Sequence, residues 1–180
     1  MDYAVHIFGA LALIINFIGY RQETINRYRL VSAFALACLS VHFFMLGASA
    51  AGIGLAIGAV RNIVAMRYQS VAILLVFVLL NIVFCLWEWF VLENSAVLFV
   101  AYTASLVFTV GSVILKSAQS IRRWFILAES LMLIYSILVL SPFGILFNVS
   151  NLISIFLKLR SEKRLAAAAQ EGVSGELRAK

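Results

Sequence analysis

The chain has 180 residues, of which 64% are hydrophobic and only 12% are charged, and its mean hydropathy is +1.04. A soluble domain is about half apolar and a quarter charged, and it could not bury this much apolar surface in one core. The composition therefore predicts a single membrane domain. The net charge of +6 would suggest nucleic acid binding in a soluble protein, but these basic residues flank apolar stretches, so no nucleic acid partner is expected.

Seven apolar stretches, each close to the roughly 20 residues that cross a bilayer, predict an all-α polytopic membrane protein with seven transmembrane helices. In chain order they cover residues 3–20, 30–46, 48–66, 71–87, 96–115, 124–140 and 143–157. Tight turns at 46–49 and 141–144 join the second to the third and the sixth to the seventh. The helix is expected to break at 170–175, in the tail. The lipid bilayer is thus the expected main partner.

The basic residues lie beyond alternate stretches. Arg21, Arg27 and Arg29 follow the first stretch, and Arg67 follows the third. Lys116, Arg122 and Arg123 follow the fifth, and Lys158, Arg160, Lys163 and Arg164 follow the seventh. The opposite loops carry no Lys or Arg, only Asp2, Glu88 and Glu93, and Glu88 between Trp87 and Trp89 is expected at the outer interface. Because Lys and Arg mark cytoplasmic loops, the pattern predicts an outside N-terminus and a cytoplasmic C-terminus.

The chain also repeats itself weakly. Residues 28–47 align with residues 122–141 at an offset of about 94, which loosens to about 90 in the return helix. In both copies basic residues precede a helix, a tight outer turn follows, and a return helix ends in a basic residue. This predicts two parallel triple-helix bundles at 1–69 and 95–160, a linker helix at 70–94, and a cytoplasmic tail at 161–180.

Two charged residues lie inside the predicted helices at the same depth. Arg61 comes six residues before Arg67, and Glu129 comes six residues after Arg123, so each lies ~9 Å below the cytoplasmic face. Such residues cost a few kcal/mol in lipid unless they are paired or hydrated. An Arg61–Glu129 ion pair would act as a gate, or Arg61 would bind a substrate carboxylate. The alternatives are a structural staple or an arginine that reaches to the interface.

Five uncharged polar residues are candidates for a substrate site. Asn16, Asn62, Asn148 and Asn151 lie within predicted helices, and His42 lies in the outer half of the second. An asparagine facing lipid is costly, so these side chains should point inward, either as contacts between helices or into a hydrated pocket. His42 is either a hydrogen-bonded structural residue or part of the solute path.

No enzyme signature is present. The sequence has no His/Cys/Asp cluster at metal spacing and no nucleophile or phosphate-loop motif, so no catalytic residue, metal ligand or cofactor is expected. Cys38 and Cys85 lie in apolar stretches without paired spacing and are expected to be inert. The other partners that fit this composition are a small polar solute and a second copy of the chain.

The sequences VHFFMLG at 41–47 and GIGLAIGAVRN at 52–62, followed by Met66-Arg67, resemble the YgjV family of bacterial inner-membrane proteins. The segment 148–160 is similar to that family's closing helix. The resemblance implies a layout like that of the SWEET and PQ-loop carriers, in which asparagines on the third and seventh helices face the substrate. Asn62, Asn148 and Asn151 lie on those helices. The Pro-Gln pair of the PQ-loop group is absent, since the single proline, Pro142, precedes Phe143.

These observations favour a small-solute carrier whose triple-helix bundles rock about a polar pocket. The alternative is a receptor or assembly partner that uses the same scaffold without transport. A closed, dry centre near His42 and Asn151 would favour the receptor, and a hydrated cavity between the two bundles would favour the carrier.

Overall fold

The computed structural model describes residues 3–20, 22, 24–68, 70–115 and 118–178, with side chains except at 20, 25, 118 and 165–178. Over these residues the chain is all-helical and contains no strand, as its composition predicts. The seven described helices are α1 (Tyr3–Tyr20), α2 (Ile25–Met45), α3 (Ser49–Val64), α4 (Val71–Phe90), α5 (Leu98–Ile114), α6 (Ala118–Leu138) and α7 (Pro142–Arg178).

The largest difference from the predicted elements lies at the C-terminal end. The expected break at 170–175 is wrong, because α7 continues to Arg178. Each glycine in this segment costs a helix about 1 kcal/mol relative to alanine. The surrounding alanine, leucine, glutamate and arginine residues are strong helix formers, and they outweigh that cost.

Within the described residues, three helical segments are long and apolar enough to cross a membrane, namely Asn26–Met45, Val71–Phe90 and Pro142–Arg164. Three shorter apolar helices, Tyr3–Gly19, Ser49–Val64 and Leu98–Ile114, accompany them. The remaining helix, α6, carries Arg122, Arg123 and Glu129 among its 21 residues. The number of crossings and the orientation stay predictions, and three charged residues used for the orientation, Asp2, Arg21 and Lys116, lie outside the described residues.

Six of these helices close into a ring. α1 packs against α2 and α7, α3 packs against α2 and α5, and α6 packs against α5 and α7. α4 lies outside the ring, against α3 and α5. We call α1–α3 the first triplet and α5–α7 the second triplet. The triplets therefore meet at two seams, one between α3 and α5 and the other between α1 and α7.

The middle helices of the triplets correspond in length and register. Both α2 and α6 have 21 residues, and their first residues, Ile25 and Ala118, lie 93 positions apart, as do their last, Met45 and Leu138. The turns that follow form the same hydrogen bonds at this offset. The amides of Leu46, Gly47 and Ala48 donate to His42, Phe44 and Phe43, and those of Val139, Leu140 and Ser141 donate to Tyr135, Ile137 and Ser136.

Each of these turns contains one residue in the left-handed conformation. Gly47 has a φ of 74° and Leu140 has a φ of 53°. Glycine adopts this conformation at no steric cost, whereas a leucine there costs roughly 1–2 kcal/mol. The turn between α6 and α7 is therefore the more strained of the two, and Leu140 is 82% exposed within it.

The hydrophobic core of the ring lies at the same end as these turns. Its largest fully buried members are Tyr102, Phe43, Leu39 and Leu98, and the ring of Phe43 meets that of Tyr135 across the triplets. Below this layer, toward the predicted cytoplasmic end, the side chains that face the inside of the ring change from large apolar to polar.

Candidate functional site

A cavity of about 400 Å³ lies inside the ring of six helices. All six ring helices contribute to its lining, and α4 contributes none of the described lining residues. The polar and charged lining side chains from the helices are Asn16, Tyr28, Arg29, Ser32, Arg61, Asn62, Ser105, Ser112, Arg122, Glu129, Asn148, Asn151, Ser154 and Lys158. Cavities of this size hold small organic molecules.

At one end the cavity lining includes residues of the loop between α1 and α2, whereas none of the described lining residues comes from the loops at the other end. Gln22 and Thr24, between α1 and α2, line the cavity together with Lys158 near the basic end of α7. At the opposite end the lining stops at Ala51 and Phe147, below the buried aromatic layer. The mouth therefore lies on the side that carries the basic loops.

A chain of three side chains crosses the seam between α1 and α7. Asn16 Nδ2 donates to Asn151 Oδ1 at 2.7 Å, and Asn151 Nδ2 donates to Glu129 Oε1 at 2.8 Å. All three residues are at most 7% exposed. The chain uses both ends of the Asn151 amide and joins helices from both triplets. Glu129 Oε2 is buried and has no hydrogen-bond partner among the described residues.

Arg61 crosses the other seam. Its Nη1 donates to the Thr109 hydroxyl at 2.9 Å, and that hydroxyl donates to the Ser105 carbonyl at 2.7 Å. The Thr109 proton is thus directed along α5, which leaves an oxygen lone pair for the guanidinium. Arg61 is 5% exposed, and its Nε has no hydrogen-bond partner.

The expected ion pair between Arg61 and Glu129 is absent from the part of the chain that the structure describes. Both side chains line the same cavity, but Arg61 bonds to Thr109 and Glu129 bonds to Asn151. The reason is the ring order, because α5 lies between α3 and α6. The described ion pair is instead formed by Arg122 and Glu162 near the mouth.

Two further predicted site residues, Asn62 and Asn148, line the cavity and form hydrogen bonds within their own triplets. Asn62 Nδ2 donates to the Ser32 hydroxyl at 3.2 Å, between α3 and α2. Asn148 Nδ2 donates to the Gly144 carbonyl at 2.7 Å and to the Ser136 hydroxyl at 3.1 Å. Of the seven predicted site residues, six therefore converge on one cavity.

His42 is the exception, because it lies in the closed layer and does not line the cavity. Its Nδ1 is 2.8 Å from the Val5 carbonyl and its Nε2 is 2.9 Å from the Ser141 hydroxyl. A carbonyl only accepts, so Nδ1 carries the proton and Ser141 donates to Nε2. The ring also packs edge-on against Phe43 and Phe143. His42 thereby links α1 and α2 to the turn before α7.

The sequence did not single out Thr109, and it predicted the wrong environment for Glu88. Thr109 lies 93 positions after Asn16, the same offset that relates α2 and α6, so the correct register would have identified it. Glu88, expected at the outer interface, is fully buried. Its two oxygens accept hydrogen bonds from Asn94 Nδ2 at 3.0 Å and from the Tyr102 hydroxyl at 3.3 Å. A buried carboxylate needs such partners, and the hydrogen bond from the loop residue Asn94 therefore helps to hold Glu88 inside the protein.

The family model for Imp-YgjV, described as a bacterial inner membrane protein, matches residues 3–164. No curated protein and no solved structure matches the chain.

Proposed function

Because the chain belongs to the Imp-YgjV family of bacterial inner membrane proteins, we propose that it is a small-solute carrier of that membrane, similar in architecture to the SWEET and PQ-loop carriers. In this proposal all seven helices cross the bilayer, with the N-terminus outside and the C-terminus in the cytoplasm. The first triplet, the linker helix α4 and the second triplet form a three-plus-one-plus-three arrangement. The two triplets move relative to each other around the central cavity.

The observation that carries the proposal is the polar cavity inside the ring. Its lining includes the six predicted polar or charged residues Asn16, Arg61, Asn62, Glu129, Asn148 and Asn151. All of them except Asn62 are at most 7% exposed, and Asn62 is hydrogen-bonded to Ser32. Buried polar groups in a membrane protein are costly, and they mark ion and substrate paths. A helix bundle held together only by packing would place small apolar residues in this position.

The correspondence between the triplets supports the carrier architecture. Arg29 and Arg122 lie 93 positions apart near the starts of α2 and α6, and each reaches toward the return helix of its own triplet. Arg29 Nη1 donates to the Ala65 carbonyl at 2.6 Å, and Arg122 pairs with Glu162. Carriers that alternate between two open states are commonly built from such parallel repeats.

The two ends of the ring differ in the way that alternating access requires. The end with the basic loops is open to the cavity through Gln22, Thr24 and Lys158. The other end is closed by the aromatic layer and by His42 with its bonds to Val5 and Ser141. With Lys and Arg on the cytoplasmic side, this conformation faces the cytoplasm. Opening outward then requires that the His42 contacts separate.

The proposal is tested by uptake into vesicles that contain the purified full-length chain. The solutes are small neutral and zwitterionic compounds, and empty vesicles are the background. We expect uptake of at least one solute, and we expect Asn151→Ala to lower it by about tenfold or more, since it removes hydrogen bonds on both sides of the seam. Asn81→Ala is the matched control, because Asn81 is equally buried but lies on α4 and donates within its own helix.

If no solute moves, and if Arg61→Ala and Asn151→Ala have no effect in cells, the carrier proposal fails. The alternative of a receptor or assembly partner would be favoured by a closed, dry centre. The cavity of about 400 Å³ supports the carrier proposal, and movement of a solute across the membrane distinguishes a carrier from a receptor with the same cavity.

A further inference from the structure

Two of the charged residues that line the cavity, Arg61 and Glu129, are buried, have opposite signs and do not contact each other. Arg61, on α3, has a single described side-chain partner, the neutral Thr109 hydroxyl, and its Nε has none. Glu129, on α6, accepts from the neutral Asn151 amide, and its Oε2 has no partner. A buried charge is costly unless it is paired and hydrogen-bonded. The two residues are 5% and 6% exposed, so a bound molecule is the natural source of the missing partners.

The missing partners have opposite signs. A guanidinium with free N–H groups binds a carboxylate, which it can hold through two parallel hydrogen bonds. A carboxylate with a free oxygen binds an ammonium group, which has three donors and no acceptor. An anion alone would leave Glu129 without a countercharge, and a cation alone would leave Arg61 without one. A zwitterion supplies both groups at once and adds no net charge to the cavity.

The remaining lining indicates the rest of the solute. Apolar side chains from five ring helices face the same space, among them Leu36, Leu55, Phe108, Phe125, Met132 and Ile155. They would surround an apolar body, while the charged ends point to α3 and α6. A volume of about 400 Å³ is at the lower end of the range for small-molecule sites. The site therefore suits a compact solute and excludes an extended one.

We infer that the cavity binds a small zwitterion with an apolar body, of the class of the free apolar amino acids, with its carboxylate on Arg61 and its ammonium group on Glu129. This inference rests on the proposed function, because it names the class of solute that the carrier takes. It also assigns separate roles to the two charges that had been expected to pair with each other.

The experiment compares three probes that share one apolar body. Leucine carries both charged groups, isocaproate lacks the amino group, and isopentylamine lacks the carboxylate. Phenylalanine, phenylpropionate and phenethylamine form a second set. Binding to the purified full-length chain in detergent is measured by the shift in melting temperature and by equilibrium binding of labelled probe. We expect at least one of the two amino acids to bind about tenfold or more tightly than either of its one-charge analogues, the effect of one charge-assisted hydrogen bond.

Two substitutions give opposite changes in selectivity. Glu129→Gln removes the ammonium partner, so the preference for the amino acid over the carboxylate analogue should fall toward one. Arg61→Gln removes the carboxylate partner, so the preference over the amine analogue should fall toward one. A merely structural role would weaken all three probes together. Glu88→Gln is the control, because Glu88 is a buried carboxylate outside the cavity, and it should leave both preferences unchanged.

Three results of these binding measurements would overturn the inference. Tighter binding of a one-charge analogue, no binding of either amino acid, or unchanged preferences in both variants would all contradict it. The wild-type comparison needs no variant, so a failure of Arg61→Gln to fold does not remove the test. If amino acids bind but never cross vesicle membranes, the site stands and the carrier proposal fails. If a neutral solute crosses while no zwitterion binds, the carrier proposal stands and this inference fails.

Discussion

Asn16 and Thr109 lie 93 positions apart, and each bonds through its side chain to the return helix of the other triplet. Asn16 donates to Asn151 across the seam between α1 and α7, and Thr109 accepts from Arg61 across the seam between α5 and α3. The first helix of each triplet thus contributes a polar contact to one seam, α1 to the seam with α7 and α5 to the seam with α3. The bonds from His42 to Ser141 and from the Ser105 hydroxyl to the Gly54 carbonyl also join the two triplets.

The seam contact at Asn16 is expected to contribute to stability. Asn16→Leu removes a buried donor and leaves the Asn151 oxygen without its partner, and hydrogen bonds between membrane helices contribute roughly 0.6–2 kcal/mol. The control is Asn81→Leu, because Asn81 bonds only along α4 and its Oδ1 is unpaired. We expect Asn16→Leu to lower the melting temperature in detergent and Asn81→Leu to leave it unchanged or raise it. Equal losses in both variants would contradict this assignment.

The bond between His42 and Ser141 should appear as a coupling energy. His42→Ala removes an acceptor from the Ser141 hydroxyl and a donor from the Val5 carbonyl, and leaving such groups unpaired costs about 1–3 kcal/mol each. Ser141→Ala removes only one of these bonds. A double-mutant cycle, read from unfolding free energies in mixed micelles, should give a coupling of about 0.5 kcal/mol or more. Additive effects would show that the two side chains act independently.

The buried Glu88 should be sensitive to a neutral replacement of the same size. In Glu88→Gln one acceptor oxygen becomes a donor, so Asn94 and Tyr102 can no longer both donate to it. The expected loss is about 1–3 kcal/mol of unfolding free energy, read as a lower melting temperature. The matched control is Glu93→Gln, since Glu93 is exposed in the following loop and its substitution should be silent. If Glu88 lay at the outer interface, Glu88→Gln and Glu93→Gln would both leave the melting temperature unchanged.

Close packing between α1 and α7 makes Gly9 a sensitive position. A Cβ atom there would lie 2.4 Å from the Phe143 ring, whereas at Gly19 the nearest atom, in Val31, would be 3.5 Å away. Overpacking of this kind costs typically 1–3 kcal/mol, so Gly9→Ala should lower the melting temperature. Gly19→Ala should leave it unchanged or raise it, because alanine favours a helix over glycine. A tolerated Gly9→Ala would mean that α1 and α7 are further apart.

The predicted orientation is tested by labelling single cysteines in a chain that lacks Cys38 and Cys85. A membrane-impermeant maleimide applied to intact spheroplasts should label Ala96→Cys, which lies between α4 and α5. Tyr68→Cys, which lies between α3 and α4 and is 61% exposed, should react only after the membrane is permeabilised. If both cysteines are labelled from the same side, the chain does not cross the membrane an odd number of times between these two positions. That result would contradict the assignment of the basic loops to the cytoplasm.

Much of the fold could be predicted from the sequence, because hydropathy and turn residues report directly on helices in a membrane protein. The first helix was predicted at its observed bounds, and six of seven proposed site residues line one cavity. The partners of those residues could not be predicted. Arg61 and Glu129 have matching depths along their helices, but depth says nothing about which helices are neighbours. The ring order, with α5 between them, depends on packing.

The helices α2 and α6 correspond at an offset of 93, whereas the sequence comparison predicted an offset of about 94, and this difference has a consequence for the site. At an offset of 94, Asn16 corresponds to Val110, which is apolar, whereas at 93 it corresponds to Thr109. A shift of one residue turns a helix position by about 100°, enough to exchange a cavity-facing residue for a neighbour. Weak sequence similarity therefore locates a repeat without giving the side chains that correspond.

The bond from His42 to Val5 ends on a main-chain oxygen, so any amino acid at position 5 can supply it. Evolutionary drift at that site leaves the closure of the outer end intact, while positions 42 and 141 depend on each other's chemistry. Among homologous sequences, we therefore expect residue 5 to vary freely and the histidine–serine combination to be retained or replaced as a unit.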